Sequence, residues 1–122
     1  MNILSVNMAQ INQSLFRVDY ILVEGVLSYE SNRYCLYNWP RPELILINGE
    51  QYLPCITFKA AGNFKLEEAV LNKWVGKRVI VGGYTPLGHG AYRHGFDNCL
   101  NDETYWGLEV TQVYLYNENG NY

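Results

Sequence analysis

The run from Phe16 to Tyr29, FRVDYILVEGVLSY, mixes β-branched, aromatic and aliphatic residues and ends at Glu30, Ser31 and Asn32, a turn-forming cluster. It predicts a long first strand. Its charges fall on both phases, Asp19 on the odd and Glu24 on the even, so a bulge or bend near Gly25 is expected to keep either from being buried. Arg33 to Asn38 reads as the returning strand, stopped by Trp39, Pro40, Arg41 and Pro42, where two prolines remove backbone donors. On that strand Arg33, Cys35 and Tyr37 share one face and Tyr34 and Leu36 share the other, so Arg33, Tyr37 and Trp39 form the set expected to be exposed. The clearest local signal is LILI-NG-EQYL, in which Asn48 and Gly49 supply the positive φ angles of a two-residue turn. The second arm of that hairpin continues through Pro54 to Phe58.

After Gly62 the period changes from two towards 3.6. Asn63 is a candidate helix cap, Leu66, Ala69, Val70 and Trp74 recur at helical spacing, and Gly76 is the expected stop. Behind it, KRVIVGGYTP alternates as a strand, with Val79 and Val81 on one face and Arg78, Ile80 and Tyr84 on the other. A glycine-rich loop, PLGHGAYRHGFDNCLND, leads to the last strand, TYWGLEVTQVYLY. There Trp106, Leu108 and Val110 face inward, and a second bulge is expected to reset the phase before Val113 and Leu115.

A length of 122 residues is enough for one core and too short for two ordinary domains. The expected organisation is a flexible N-terminal arm over 1–15, one domain over 16–116 and a polar tail over 117–122. The opening MNILSVNMAQ lacks the charge and apolar run of a secretory signal, and no stretch approaches the roughly 18 apolar residues of a membrane span, so a cytoplasmic protein is expected. Cys35, Cys55 and Cys99 are odd in number and contain no CxxC pair, which predicts reduced thiols rather than a disulfide framework. Nine Lys and Arg against twelve Asp and Glu leave a net charge of −3, which argues against a non-specific duplex binder held mainly through phosphates. Binding by base stacking is indifferent to net charge, and 11 Tyr and 3 Trp keep it open.

Strand, strand, strand, helix, strand, strand is an order that resembles the OB fold, and Leu66 to Pro86, LEEAVLNKWVGKRVIVGGYTP, looks like that fold's helix entering its fourth strand. The resemblance covers residues 16 to 116 in architecture, with no family motif, and an SH3-like barrel is the main structural competitor. It implies a mainly β chain, a small five-stranded OB-like barrel with one α-helix between the third and fourth strands. It also implies a ligand surface on strands two and three and on the loops joining strands one to two and four to five. Those places hold Arg33, Tyr37, Trp39 and Arg41 around the second strand, and Tyr84, His89, Tyr92, Arg93 and His94 in and before the glycine-rich loop. Planar rings there can stack on bases, and guanidinium groups can meet phosphate or lie over a ring.

The expectation is a non-catalytic binding module for single-stranded DNA or RNA. The alternative is a protein-interaction or homo-oligomerisation module using exposed Tyr and Trp and a barrel edge. A nucleic-acid complex weakens steeply with salt, while an aromatic-anchored protein interface weakens little. No cofactor is expected. His89, His94, Asp97 and Cys99 are metal-capable but match no metal spacing, so no metal site is expected. A histidine base with Asp97, Asp102 or Glu103 lacks any accompanying nucleophile motif, so no enzyme is expected.

Overall fold

The computed structural model describes residues 2–12, 18–30, 32–47, 49–85 and 108–117. Among these the order is β1 (Ile3–Ser5), α1 (Val6–Asn12), β2 (Tyr20–Glu30), β3 (Arg33–Tyr37), β4 (Ile45–Ile47), β5 (Glu50–Tyr52), β6 (Cys55–Ala60), α2 (Glu68–Trp74), β7 (Arg78–Tyr84) and β8 (Leu108–Leu115). The chain is mainly β, as its alternation predicts. Six strands make one mixed sheet in the order β1-β2-β3-β6-β8-β7, and β7 also pairs with β2, so β2, β3, β6, β8 and β7 form a ring of five. The β1–β2 and β6–β8 pairs are parallel, and β4 and β5 stand apart as a two-stranded sheet. Counted along the chain, α2 lies between β6 and β7 rather than between the third and fourth strands, because β1 and the β4–β5 hairpin add strands ahead of it. No helix among the described residues is long and apolar enough to cross a membrane.

Alternation fills the ring. Val23 and Leu27 of β2, Tyr34 and Leu36 of β3, Ile56 and Phe58 of β6, Val79 and Val81 of β7, and Leu108 and Val110 of β8 form one buried cluster. These are every-second positions, so each strand gives one face to the core. Val6 and Ala9 of α1 join them. A Cβ at Gly25 would lie 2.6 Å from the Tyr37 carbonyl oxygen and 2.9 Å from Val6 Cγ2, so the missing side chain is what lets α1 and β3 come this close. Residues 3–12, expected to be part of a flexible arm, are therefore ordered strand and helix. Two apolar positions three apart, Val6 and Ala9, are too short a pattern to announce a helix, yet their burial anchors it.

The expected bulge near Gly25 is corrected, because β2 pairs with β7 without interruption from Tyr20 to Val26. Asp19 precedes the strand and is tied to Thr85 instead, receiving the Thr85 amide at its carbonyl (2.8 Å) and donating its own amide to Thr85 Oγ1 (2.9 Å). The conflict of phase disappears with the boundary. A register shift does occur on β8, where Gly82 faces Gln112 and Gly83 faces Val110, leaving Thr111 as the extra residue. It resets the phase so that Val113 packs against the core.

The second helix begins at Glu68, later than a cap at Asn63 predicts, and Glu67 before it makes no side-chain capping bond. Only its end matches the expectation, with Gly76 at φ 87°. Tertiary contacts hold it: Leu71 is buried, and the Tyr34 hydroxyl donates to Asn72 Oδ1 at 2.6 Å. The Gly76 amide donates to the Leu27 carbonyl (2.8 Å) and the Leu27 amide to the Lys77 carbonyl (3.0 Å), stitching the helix exit to β2.

Between β4 and β5 Gly49 has φ 82°, the left-handed conformation its turn requires. Gly49→Val should cost on the order of 1–2 kcal/mol of hairpin stability. Because this hairpin pairs outside the ring, faster amide exchange at Ile47 and Glu50, the hydrogen-bonded pair that flanks the turn, with little change in melting temperature is the expected readout. Unchanged exchange at both amides would show the turn to be unstrained.

Candidate functional site

Trp39 sits at the corner just beyond β3, and Asn38 holds that corner in place. The Asn38 side chain is buried, accepts the Asn7 amide at Oδ1 (3.2 Å), and donates through Nδ2 to the Trp39 carbonyl (3.1 Å) and the Arg41 carbonyl (3.4 Å). The Trp39–Pro40 peptide is cis. Trp39 itself remains 37% exposed. One aromatic ring is thus presented on a corner fixed from inside, by a polar residue bonded to both α1 and the turn.

Next to it lies Arg78 from the start of β7. Its guanidinium is 4.8 Å from the Trp39 ring centroid and 3.5 Å from that of Tyr116, so one cation lies over both aromatic rings. Arg78 Nη2 also donates to both carboxylate oxygens of Glu24 at 2.8 Å. Glu24 compensates the charge of Arg78, leaving planar stacking surface rather than a free phosphate-binding cation. Arg41, two residues beyond Trp39, is well exposed and makes only a loose 3.7 Å pair with Glu43. Exposed pairs of that kind contribute little, so Arg41 can turn to another anion.

The residues expected to bind ligand do not all converge. Trp39 and Arg41 lie at one corner. Tyr84 is exposed and edge-on to Tyr20, with ring centroids 5.0 Å apart, at the opposite end of β7 from Arg78 and roughly 20 Å away by strand rise. Arg33 is buried at 5% exposure, and Tyr37 is half-buried with its hydroxyl donating to Glu30 Oε2 at 2.6 Å. Of Arg33, Tyr37 and Trp39, expected to be exposed together, Trp39 is exposed and the other two are not, a correction that follows from a covered face: Cys35, Cys55 and Thr57 on the same side as Arg33 and Tyr37 are buried as well. His89, Tyr92, Arg93 and His94 lie outside the described residues. Glu24 and Tyr116, which no motif marks, are what complete the corner; opposite charges on the first and fourth long strands were the available signal.

That covered face changes its chemistry. Burial, followed by the negative charge of Glu30, pushes the Cys35 thiol up to about 12. Burial, followed by the hydrogen bond to Glu30, raises the Tyr37 hydroxyl as well. Cys35 is a free thiol whereas Cys55 is disulfide-bonded, which corrects the expectation of three reduced thiols.

A concavity lies between α2 and β8. It encloses about 380 Å³ and is lined by Phe64, Lys65, Leu66, Val70 and Trp74 on one side and Thr111, Gln112 and Val113 on the other. Comparison of the chain with protein-family models, with curated proteins and with solved structures found no match.

Proposed function

We propose that this chain is a non-catalytic OB-type module that binds single-stranded DNA or RNA, stacking a base on Trp39 and drawing a phosphate to Arg41. The observation that carries the proposal is the Trp39–Arg78–Tyr116 stack, an exposed aromatic surface held rigid by Asn38 and Glu24. A rigid stack loses little entropy when a base joins it. The ring supports the OB reading: three of its strands precede α2 and two follow, and the OB fold is a five-stranded, partly open barrel that binds single strands around its second and third strands. Trp39 lies at the corner just beyond the second ring strand. The acidic net charge fits a contact that relies on stacking more than on phosphates.

Replacing Trp39 tests this. Trp39→Ala should lose on the order of 1–3 kcal/mol of single-strand affinity, as stacking residues do, while Trp39→Phe retains most of it. The ring lies outside the buried cluster, so the circular dichroism spectrum should be unchanged. Equal affinity of the alanine variant and the parent for the same strand, measured by fluorescence anisotropy, would remove Trp39 from the site.

A second reading, a protein partner or a second copy of the chain, is favoured by the β4–β5 hairpin. Leu44, Leu46 and Leu53 are 61%, 68% and 38% exposed there, an apolar surface that an interface would cover. Binding through it would be insensitive to salt and to Trp39→Ala.

A further inference from the structure

Building on the single-strand reading, we infer that the concavity between α2 and β8 takes one nucleotide, its base inside and its phosphate at the mouth. At about 380 Å³ it falls within the range of small-ligand pockets, about 300–1,000 Å³. Phe64, Leu66, Val70, Trp74 and Val113 supply apolar and aromatic walls, all half-buried and thus neither closed into the core nor fully wetted. A planar heteroaromatic ring suits such walls, because both of its faces need apolar contact while its edge needs hydrogen bonds.

The edge is supplied by β8. At the register shift two consecutive residues, Thr111 and Gln112, turn their side chains to the same phenol: Gln112 Nε2 donates to the Tyr20 hydroxyl, and that hydroxyl bonds Thr111 Oγ1 at 2.9 Å. Either hydroxyl can be the donor in that second bond. When Tyr20 donates, the Thr111 hydroxyl hydrogen is left to donate, and Gln112 Oε1 accepts in either arrangement, a neighbouring donor and acceptor of the kind a base edge pairs with. Lys65 and Glu67, both exposed, also line the concavity, the first a cation for a phosphate and the second an acceptor for a sugar hydroxyl. The same chemistry reaches the pocket from two sources, a free mononucleotide or one nucleotide of a strand.

Nuclear magnetic resonance titration of the full chain separates them, with adenosine monophosphate in one arm and a short single-stranded DNA in the other. The pocket predicts saturable shifts of the Trp74 indole and of the Lys65, Val70 and Gln112 amides in both arms if strands use it, and in the first arm alone if it serves free nucleotides. Val70→Phe, which fills the cavity, should weaken mononucleotide binding at least tenfold, and Lys65→Ala several-fold with recovery in Lys65→Arg. Should Val70→Phe fail to fold, the two Lys65 variants carry the test. Absence of shifts at these residues in both arms, or affinity unchanged in the Val70 and Lys65 variants, overturns the inference. A strand that binds in a Trp39-dependent way with the pocket silent would overturn the pocket and leave the strand-binding reading standing. A mononucleotide in the pocket without any strand binding would do the reverse.

Discussion

Phe58→Ala should destabilise the fold by about 3–5 kcal/mol, the range for removing a large aromatic from a packed interior. Phe58 is 1% exposed and lies where two kinds of pairing meet, opposite Tyr34 of β3 across an antiparallel ladder and opposite Leu108 of β8 across a parallel one. Its ring stacks on that of Tyr34, with centroids 6.2 Å apart and planes 21° from parallel. Truncation leaves a cavity between strands that close the ring, where α2 and β8 have little freedom to collapse inward. Urea denaturation followed by far-ultraviolet circular dichroism gives the figure, and Phe58→Leu, which keeps more of the volume, should cost distinctly less. A loss below about 1 kcal/mol for the alanine variant would mean that the ring does not close around this residue.

Stability should also fall as pH rises through the alkaline range. Cys35 has an ordinary value of 9.0 and is raised to about 12 in the fold, so the folded chain prefers the protonated thiol. Its contribution is fully present below pH 9 and is lost progressively as the pH climbs towards 12. Three units correspond to at most about 4 kcal/mol, since each unit is about 1.4 kcal/mol. Tyr37, raised mainly by burial and then by its bond to Glu30, adds a loss of the same sign above the ordinary tyrosine value of 10.0. The Cys35→Ala variant isolates the thiol: between pH 8 and 11 its stability should decline less steeply than that of the parent. Parallel declines in the two proteins would show that Cys35 is not the group being titrated.

Much of the ring was legible because its strands alternate. Tyr34 and Leu36, Val79 and Val81, and Leu108 and Val110 fall inward as their phase predicts, and the reset before Val113 is there. What escaped were features decided by distant partners. The α1 helix depends on a glycine nineteen positions further on in the chain than Val6, since Gly25 is what admits the valine side chain. The outward face of β3 reads as exposed from its own alternation, but Arg33 and Cys35 are buried, and nothing within the strand encodes that cover. At the corner, Trp39 and Arg41 were recognisable from aromatic and cationic character beside two prolines. Arg78, Glu24 and Tyr116 were not, because they arrive from β7, β2 and the residue after β8, and only pairing brings them together.

The most direct test of the strand-binding reading is an anisotropy titration of the unmodified chain against labelled single-stranded DNA, the corresponding RNA and a duplex, repeated over a range of salt. Stacking at Trp39 predicts saturable binding of a single strand at micromolar protein and low salt, with the duplex weaker. Because Glu24 compensates Arg78, the dependence of log affinity on log salt should be shallow, about −0.7 for each phosphate neutralised and few of them. Failure of all three nucleic acids to bind under those conditions would contradict the account and leave the exposed leucines of the β4–β5 hairpin as the surface to explain.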